Sequence, residues 1–592
     1  MPTTPQVNFN FVNENVQAST PLLGVSHVLA RTTRGKFNSP DILITSWPQF
    51  QRIYGEEIVP DGSVSNIKTA LELGSKLRIS RVSGNPEDLA YGYAKSGGSE
   101  VSLGIHLTDP ADKTVKFKVN FRIRTAEQGS PVLDTTGDNL DRTFYLRLQV
   151  DPGPNNKISL IQAKKSSFTS DSILDSRPIF MASKYDSTSD TNPSPFIDPE
   201  TLQSFIKSVP FIELELVGVL DKDGAVVPSY SNSGMEGVIS LLKTYPNWYA
   251  TFLVGTNAIT TGLVNLTINE GNNGGPSVPR TWVEAYEAIK GYNDSYQLIC
   301  SHMHQHLGAT EYIETAKHIS EEVAKYFDEV LYVEVPKYNT SNKPMTPNDM
   351  KEWLETNVPI IGSHKTTAYF GGGIKYYNDN GSLQDCDVLG TVVGLGDRSA
   401  SNSGPWFSFA GMNRGVVVSA NGPVVTNLGG SSYVSTLQML ADWYLNLFVV
   451  KDTRNQGKRT MLWHSFTSNP INNSEKFLSI VRLNLYLKKS LLPILESYIE
   501  EPNIWDTWSL IYYEAKEILD DLVSRGAMSE YTWLGDQFAT SYEELIVNNE
   551  ADVRQGKYRI KLRYKDIVPM QEIEMNIIID SASKDISIST TE

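Results

Sequence analysis

The sequence predicts an α/β core, a mainly parallel sheet flanked by helices, with an inserted β-rich domain and an α+β C-terminal domain. Three observations predict it. Short apolar runs alternate with amphipathic helical runs over 23–90 and again over 281–405. That order is the pattern of parallel strands joined by helical crossovers. Between them, 91–280 changes to alternating apolar and polar residues punctuated by Pro, Gly, Asp and Ser, which reads as antiparallel strands with one solvated face. Beyond 405, two long amphipathic runs precede further alternating segments up to 580. Residues 1–22 and 581–592 read as terminal arms.

In the first core stretch, GVSHVLA and ILITS are short strands, Trp47 to Tyr54 is a helix stopped by Gly55, Ser65 to Leu73 is a second helix, and LRISRVS is a strand. The insertion carries TVKFKVNFRIR and RTFYLRLQV, both with period two. VISLLKTYPNWYATFLVGT brings a helix back. The core resumes with helices over Thr281 to Gly291, Thr310 to Phe327 and Thr346 to Asn357, interleaved with the apolar strands YQLICSH and EVLYVEV.

The C-terminal domain is organised around 474–503. Phe477, Ile480, Leu483, Leu487, Leu491, Ile494 and Tyr498 recur every three or four residues, which lays one apolar stripe along a helix. Ser474 is placed to cap it, and Pro493 predicts a kink or restart. Arg482, Lys488 and Lys489 form a basic cluster on the polar side. A second helix is expected from Trp505 to Met528, stopped by Gly526. Further on, KYRIKLRYK alternates through Tyr558, Ile560, Leu562 and Tyr564, followed by EIEMNIII and by a last piece with Ile586 and Ile588. At the other end Val7, Phe9 and Phe11 alternate with asparagines. Such a lone terminal strand is either an edge strand of its own domain or a strand donated to another subunit.

A chain of 592 residues is too long for one core. Hydrophobic content of 40% and charged content of 20% fit a globular protein, and no run approaches the roughly 18 to 20 apolar residues of a membrane span. The N-terminus lacks the basic and apolar regions of a signal peptide. Two cysteines, Cys300 and Cys386, make no disulfide framework and suit a reducing cytoplasm. A net charge of −16 argues against wrapping nucleic acid.

Chemistry is thin. Cys300, His302, His304 and His306 stand two apart in CSHMHQH. On a strand they share one face and could converge on a metal with N/S ligands, which would suit a metal-dependent α/β enzyme. The plainer reading is a strand end with partly exposed histidines. Gly394, Gly396 and Ser399 imitate a dinucleotide fingerprint without its third glycine, Gly457-Lys458 lacks the upstream glycine of a P-loop, and no GxSxG occurs. Asp520-Asp521 and Glu543-Glu544 read as solvated charge. No cofactor is expected.

One resemblance runs through the chain in order. The first core stretch has Arg34-Gly35, Asn38-Ser39-Pro40, Ser46, Phe50 and Tyr54-Gly55. The return to the core has the glycine- and asparagine-rich turn 271–275, Ala285 to Ile289, and Leu298-Ile299-Cys300. Next come Gly390, Val393-Gly394, Asp397, Gly404, Trp406, Ala410-Gly411 and Arg414-Gly415. Last are Arg482, Tyr486, Lys489-Ser490-Leu491, Glu501-Pro502-Asn503, Trp508 and Gly526-Ala527. In this order they resemble the contractile bacteriophage tail sheath protein family, over most of the chain outside the insertion. The sequence departs from that pattern in lacking a proline-serine ahead of Gly390 and an alanine-proline at Ser408-Phe409.

The resemblance implies a mechanical role. Subunits stack as rings around a tail tube, and the array shortens to drive the tube through the host envelope for genome ejection. A phage-tail-like secretion or bacteriocin particle is the near alternative. Further implied are partners at the baseplate and tail terminator, no direct nucleic-acid contact and no membrane insertion. The C-terminal domain becomes the inner, tube-facing one, with Arg482, Lys488 and Lys489 as tube contacts. Strand exchange between subunits would involve Val7, Phe9, Phe11, Ile586 and Ile588, pairing near Ile560, Leu562 and Tyr564.

Overall fold

The computed structural model describes residues 23–534 and 553–570, apart from 60–63, 97–98, 110, 127, 130–142, 152–156, 164–169, 171–172, 182–211, 246–247, 255–256, 260–261, 270, 379, 426–432, 454–456 and 472. Its centre is a nine-stranded mixed sheet. In chain order the strands are β1 (Val25–Ala30), β2 (Leu43–Ile44), β3 (Lys76–Arg81), β4 (Gln297–Cys300), β5 (Val330–Glu334), β6 (Thr367–Gly371), β7 (Val416–Val417), β8 (Leu445–Thr453) and β9 (Gly457–Leu462). Their order across the sheet is β2-β3-β1-β4-β5-β6-β8-β9-β7. The run from β3 to β8 is parallel, and antiparallel strands close both edges.

Both faces of the parallel strands are covered. Val28, Ile299, Tyr332, Ala368 and Phe370 enter one apolar cluster, while Leu29, Leu298, Leu331, Val333 and Tyr369 enter the other. The helices Pro279–Ile289, Ala309–Tyr326 and Pro347–Ile361 cover the second face. Continuous apolar strands are what a sheet buried on both sides requires.

The core does not stop at 405. Strands β7, β8 and β9 lie beyond that expected boundary and complete the sheet, because Leu445, Leu447, Phe448, Val449, Met461 and Leu462 are buried in its two clusters. The helix expected to stop at Asn357 continues through Pro359 to Ile361.

Residues 94–269 build two further sheets, one of six strands and one of five. The alternating segments form the antiparallel strands Val115–Thr125 and Thr143–Asp151. One apolar cluster, including Ile105, Phe121, Leu146 and Leu266, joins both sheets to the helix Gly234–Thr244. The chain leaves and re-enters the core side by side, for Leu89–Ala90 pairs with Asn272–Asn273.

Gly394, Gly396 and Ser399 cradle no phosphate. They lie inside the helix α1 (Leu389–Asn402), all buried. Gly390 in this helix lies against the helix Asn66–Glu72, where an added Cβ would stand 2.1 Å from the Asn66 carbonyl oxygen. Ordinarily Gly→Ala inside a helix stabilises by about 1 kcal/mol. Here the sign should reverse. Gly390→Ala is expected to lower unfolding stability by at least about 2 kcal/mol in chemical denaturation, and an unchanged or raised midpoint would contradict this packing.

Candidate functional site

The C-terminal unit is made by α2 (Leu478–Ser497), α3 (Trp505–Ser524) and a two-stranded ribbon of β10 (Met528–Leu534) and β11 (Lys561–Asp566). Phe477, not Ser474, stands at the N-cap of α2, without a side-chain cap bond, and Ser474 belongs to a preceding short 3-10 turn. The helix runs on through Pro493 rather than restarting, with Leu491, Leu495 and Tyr498 packed in the C-terminal cluster around the proline. As expected, Gly526, at φ +71°, follows α3. Met528 already belongs to β10, not to the helix.

Helix α2 has two apolar sides. Leu478, Val481 and Leu485 pack into the core, while Leu483, Leu487 and Leu491 pack with Ile511, Ala515, Leu519 and Leu522 of α3. A helix covered on both sides has no solvated face for cations. Arg482, Lys488 and Lys489 are accordingly 0%, 6% and 1% exposed, so the expected tube contact by these side chains is corrected. Arg482 donates to the Gly396 carbonyl at 3.0 Å. Lys488 donates to the Tyr326 carbonyl at 2.9 Å and meets Asp328 at 2.5 Å. Lys489 donates to the Ser295 carbonyl, and burial pushes its ammonium down from the usual lysine range. Lys488 sits at the C-terminus of the helix Ala309–Tyr326, where a cation meets the negative end of the helix dipole. In sequence these residues looked like a surface cluster. The missed signal is the second apolar line, Leu478, Val481 and Leu485, which flanks the first.

The ribbon lays Trp533, Leu562 and Tyr564 on the helix pair, with Tyr558 and Ile560 from the approach to β11. Tyr558 stacks on Trp508 at 4.9 Å between ring centroids, and the Tyr564 hydroxyl donates to Asn484 of α2. Ile560, Leu562 and Tyr564 thus pack on their own subunit. What the ribbon offers to another strand is main chain: among the described residues no third strand pairs with β10 or β11. Val7, Phe9, Phe11, Ile586 and Ile588 lie outside the described residues.

The cysteine and histidines do not converge. The strand ends at Cys300; His302 takes a left-handed conformation at φ +53° and a helical turn begins at Met303. That turn destroys the period of two on which a shared face depends. Cys300 is buried among apolar residues, and His306 lies 6.2 Å from the Trp282 ring, its imidazole pushed down to about 4 first by burial. His302 Nδ1 meets Glu57 at 3.1 Å and its Nε2 lies 3.5 Å from Asp387, which Lys337 also holds at 2.9 Å. Ser301 donates to Glu57. Among the described residues no three His, Cys, Asp or Glu are arranged to hold a metal ion. The group is a buried ion cluster at the carboxyl ends of β4 and β5. Burial opposes charge on His302, but the Glu57 and Asp387 carboxylates raise its imidazole to about 9.

Two outcomes follow. The raised imidazole of His302 contributes stability that is fully present below its unfolded value near 6.5 and is lost as pH rises through about 9. The unfolding midpoint should therefore fall between about pH 7 and 9.5, by up to about 3 kcal/mol in stability, and His302→Gln should flatten that fall; an equal fall in the variant would contradict the assignment. Lys489→Glu should destabilise by about 3 to 5 kcal/mol, because it sets a carboxylate against a buried carbonyl, whereas Lys489→Met should cost much less. Equal melting of the two variants would show that the ammonium is not a buried tie.

No protein-family model matches the sequence, and no curated protein matches it. Solved structures do. The sheath tail protein from Listeria innocua aligns with 93% of this chain and 96% of its own, at 9% identity and a TM-score of 0.45. The sheath tail protein from Desulfitobacterium hafniense covers 88% of this chain and 92% of its own, at 10% identity and 0.43. The PVC sheath complex of an extracellular contractile injection system, in its contracted state, covers 50% of this chain and 73% of its own, at 13% identity and 0.38. These neighbours are two sheath tail proteins and the sheath of a contractile injection system.

Proposed function

We propose that this chain is the structural subunit of a contractile tail sheath, polymerising around a tail tube and shortening to drive it through a host envelope. The observation that carries the reading is the ribbon, with which no third strand pairs among the described residues. Two strands alone are marginal, and an uncovered edge presents unpaired N–H and C=O groups to any extended segment. The alternating sequences Val7, Phe9, Phe11 and Ile586, Ile588 near the two ends would supply such segments. Arms from neighbouring copies that pair with β10 and β11 would complete the sheet. Main-chain pairing tolerates changes in the linker, so subunits could rotate and slide without separating. On this reading the energy resides in contacts between subunits that re-form in a second arrangement, and the work is mechanical rather than catalytic.

In this reading the sheets of 91–280 project outward, the α/β core forms the middle layer, and the C-terminal unit faces the tube. The partners are further copies, the tube protein, the baseplate and the terminator, with assembly in the host cytoplasm and residence in the tail.

The arms test the proposal. Removing residues before Ser19, or after Ser581, is expected to leave a soluble folded monomer that forms no tubes in sedimentation and negative-stain microscopy. Normal tubes from either truncated protein would overturn it.

A further inference from the structure

In the buried ion cluster one lysine touches one carboxylate beside a second carboxyl. Lys337 follows the end of β5 and Asp387 precedes α1, and both are internal, at 3% exposure each. Nζ of Lys337 donates to Oδ1 of Asp387 at 2.9 Å. The other carboxylate oxygen, Oδ2, accepts from the Gln305 side chain at 2.8 Å. Nε2 of His302 stands 3.5 Å from the same oxygen and has no hydrogen-bond partner. Glu334, the last residue of β5, accepts from the Val388 amide at 2.7 Å through Oε1, while its buried Oε2 has no partner. Burial and the Asp387 charge hold the Glu334 carboxyl well above the usual carboxylate range, so it keeps a proton.

A buried ion pair is ordinarily a structural tie. Two unpartnered atoms beside this one, Oε2 of a protonated Glu334 and Nε2 of His302, are left over by that role. Each has a use if the lysine and the carboxylate react. An amine held against a carboxyl out of water, with a proton carrier near and donors at the second oxygen, is the arrangement that amide formation needs.

We propose that Lys337 and Asp387 condense into an isopeptide bond, with Glu334 carrying protons and Gln305 and His302 steadying the oxygen on which charge gathers. The ammonium first passes a proton to Oδ1, the oxygen it touches. The neutral Nζ attacks Cγ, and negative charge collects on Oδ2, against Gln305 and His302. Glu334 gives its proton to Oδ1 and takes one from the nitrogen. The Cγ–N bond forms, the Cγ–Oδ1 bond breaks and one water leaves. Of the three ammonium protons, two depart in the water and one stays on the amide nitrogen. Nothing is oxidised or reduced, and Glu334 ends protonated as it began. Glu57, 3.1 Å from Nδ1, remains to hold the charge of His302. The bond would close a loop of 50 residues that includes the helix Pro347–Ile361 and β6, and so restrict the unfolded chain. It is independent of what the chain assembles with.

Intact mass under denaturing conditions tests it on the full chain. After incubation in the folded state, the wild-type protein should weigh about 18 Da less than its sequence, the mass of one water. Digestion should then release a peptide holding Lys337 joined to one holding Asp387. Lys337→Arg keeps the charge and should show its full mass, with a melt several degrees lower. Glu334→Gln should bond at least about tenfold more slowly. A wild-type protein that keeps its full sequence mass after prolonged incubation would overturn the bond, whatever the variants do. Loss of the same water from Lys337→Arg would overturn it by assigning the dehydration to other groups. Equally fast bonding in Glu334→Gln would overturn the proton-carrying role.

Discussion

Helix α2 joins the α/β core to the C-terminal unit. It is the only element among the described residues whose side chains enter both the core cluster around β1 and the C-terminal cluster around α3. Its cations fasten it to the loops at the amino edge of the parallel sheet. Lys489 holds the Ser295 carbonyl and Lys488 holds the Tyr326 carbonyl and Asp328. The same loops are gripped from the other side. His27 of β1 meets Asp294 and Glu329 at 2.9 Å each, and Arg78 of β3 meets Asp294 at 2.5 Å. Burial opposes charge on His27, yet those two carboxylates raise its imidazole, while His27 and Arg78 hold Asp294 well below the usual carboxylate range.

Such ties are poor sources of net stability, since desolvation offsets much of the attraction, but breaking one leaves a buried charge without its partner. Their effect is to fix position. Asp397 shows the same logic at the centre of α1: it accepts from Ser26 at 2.6 Å and from Gln297 at 2.8 Å, and burial raises its carboxyl to about 6. Arg482 donates to the neighbouring carbonyl of Gly396. Core and C-terminal unit are therefore tied in one register.

The strands and helices of the core were legible because period and punctuation agree with the fold: Val25–Ala30 and Val330–Glu334 are short apolar runs, and Ser46 and Ser65 cap their helices as their positions suggest. What misled was local reading of residues whose role is tertiary. CSHMHQH looked like a face of ligands because nothing in the sequence announces that His302 turns left-handed. Lys488 and Lys489 looked solvated because charge on a helix usually is, and only the loops 295 and 326–328, more than 150 residues away in the chain, make their burial tolerable. The strands beyond 405 were missed because the glycines Gly411, Gly415 and Gly422 punctuate the sequence where the chain returns to the sheet. The ribbon was half visible: the alternation at 558–564 was plain, while its pairing with β10 was not, since the expected helix was carried to Met528, the first residue of that strand.

On the proposed reading, strands of other copies complete the ribbon of β10 and β11. A cryo-EM reconstruction of the assembled protein tests it most directly. Continuous strand density along the outer edges of β10 and β11 should trace back to the termini of neighbouring copies, with α2 seated on its own core as in the single chain. Edges covered by the same copy's own termini, or left bare in a well-ordered polymer, would contradict it.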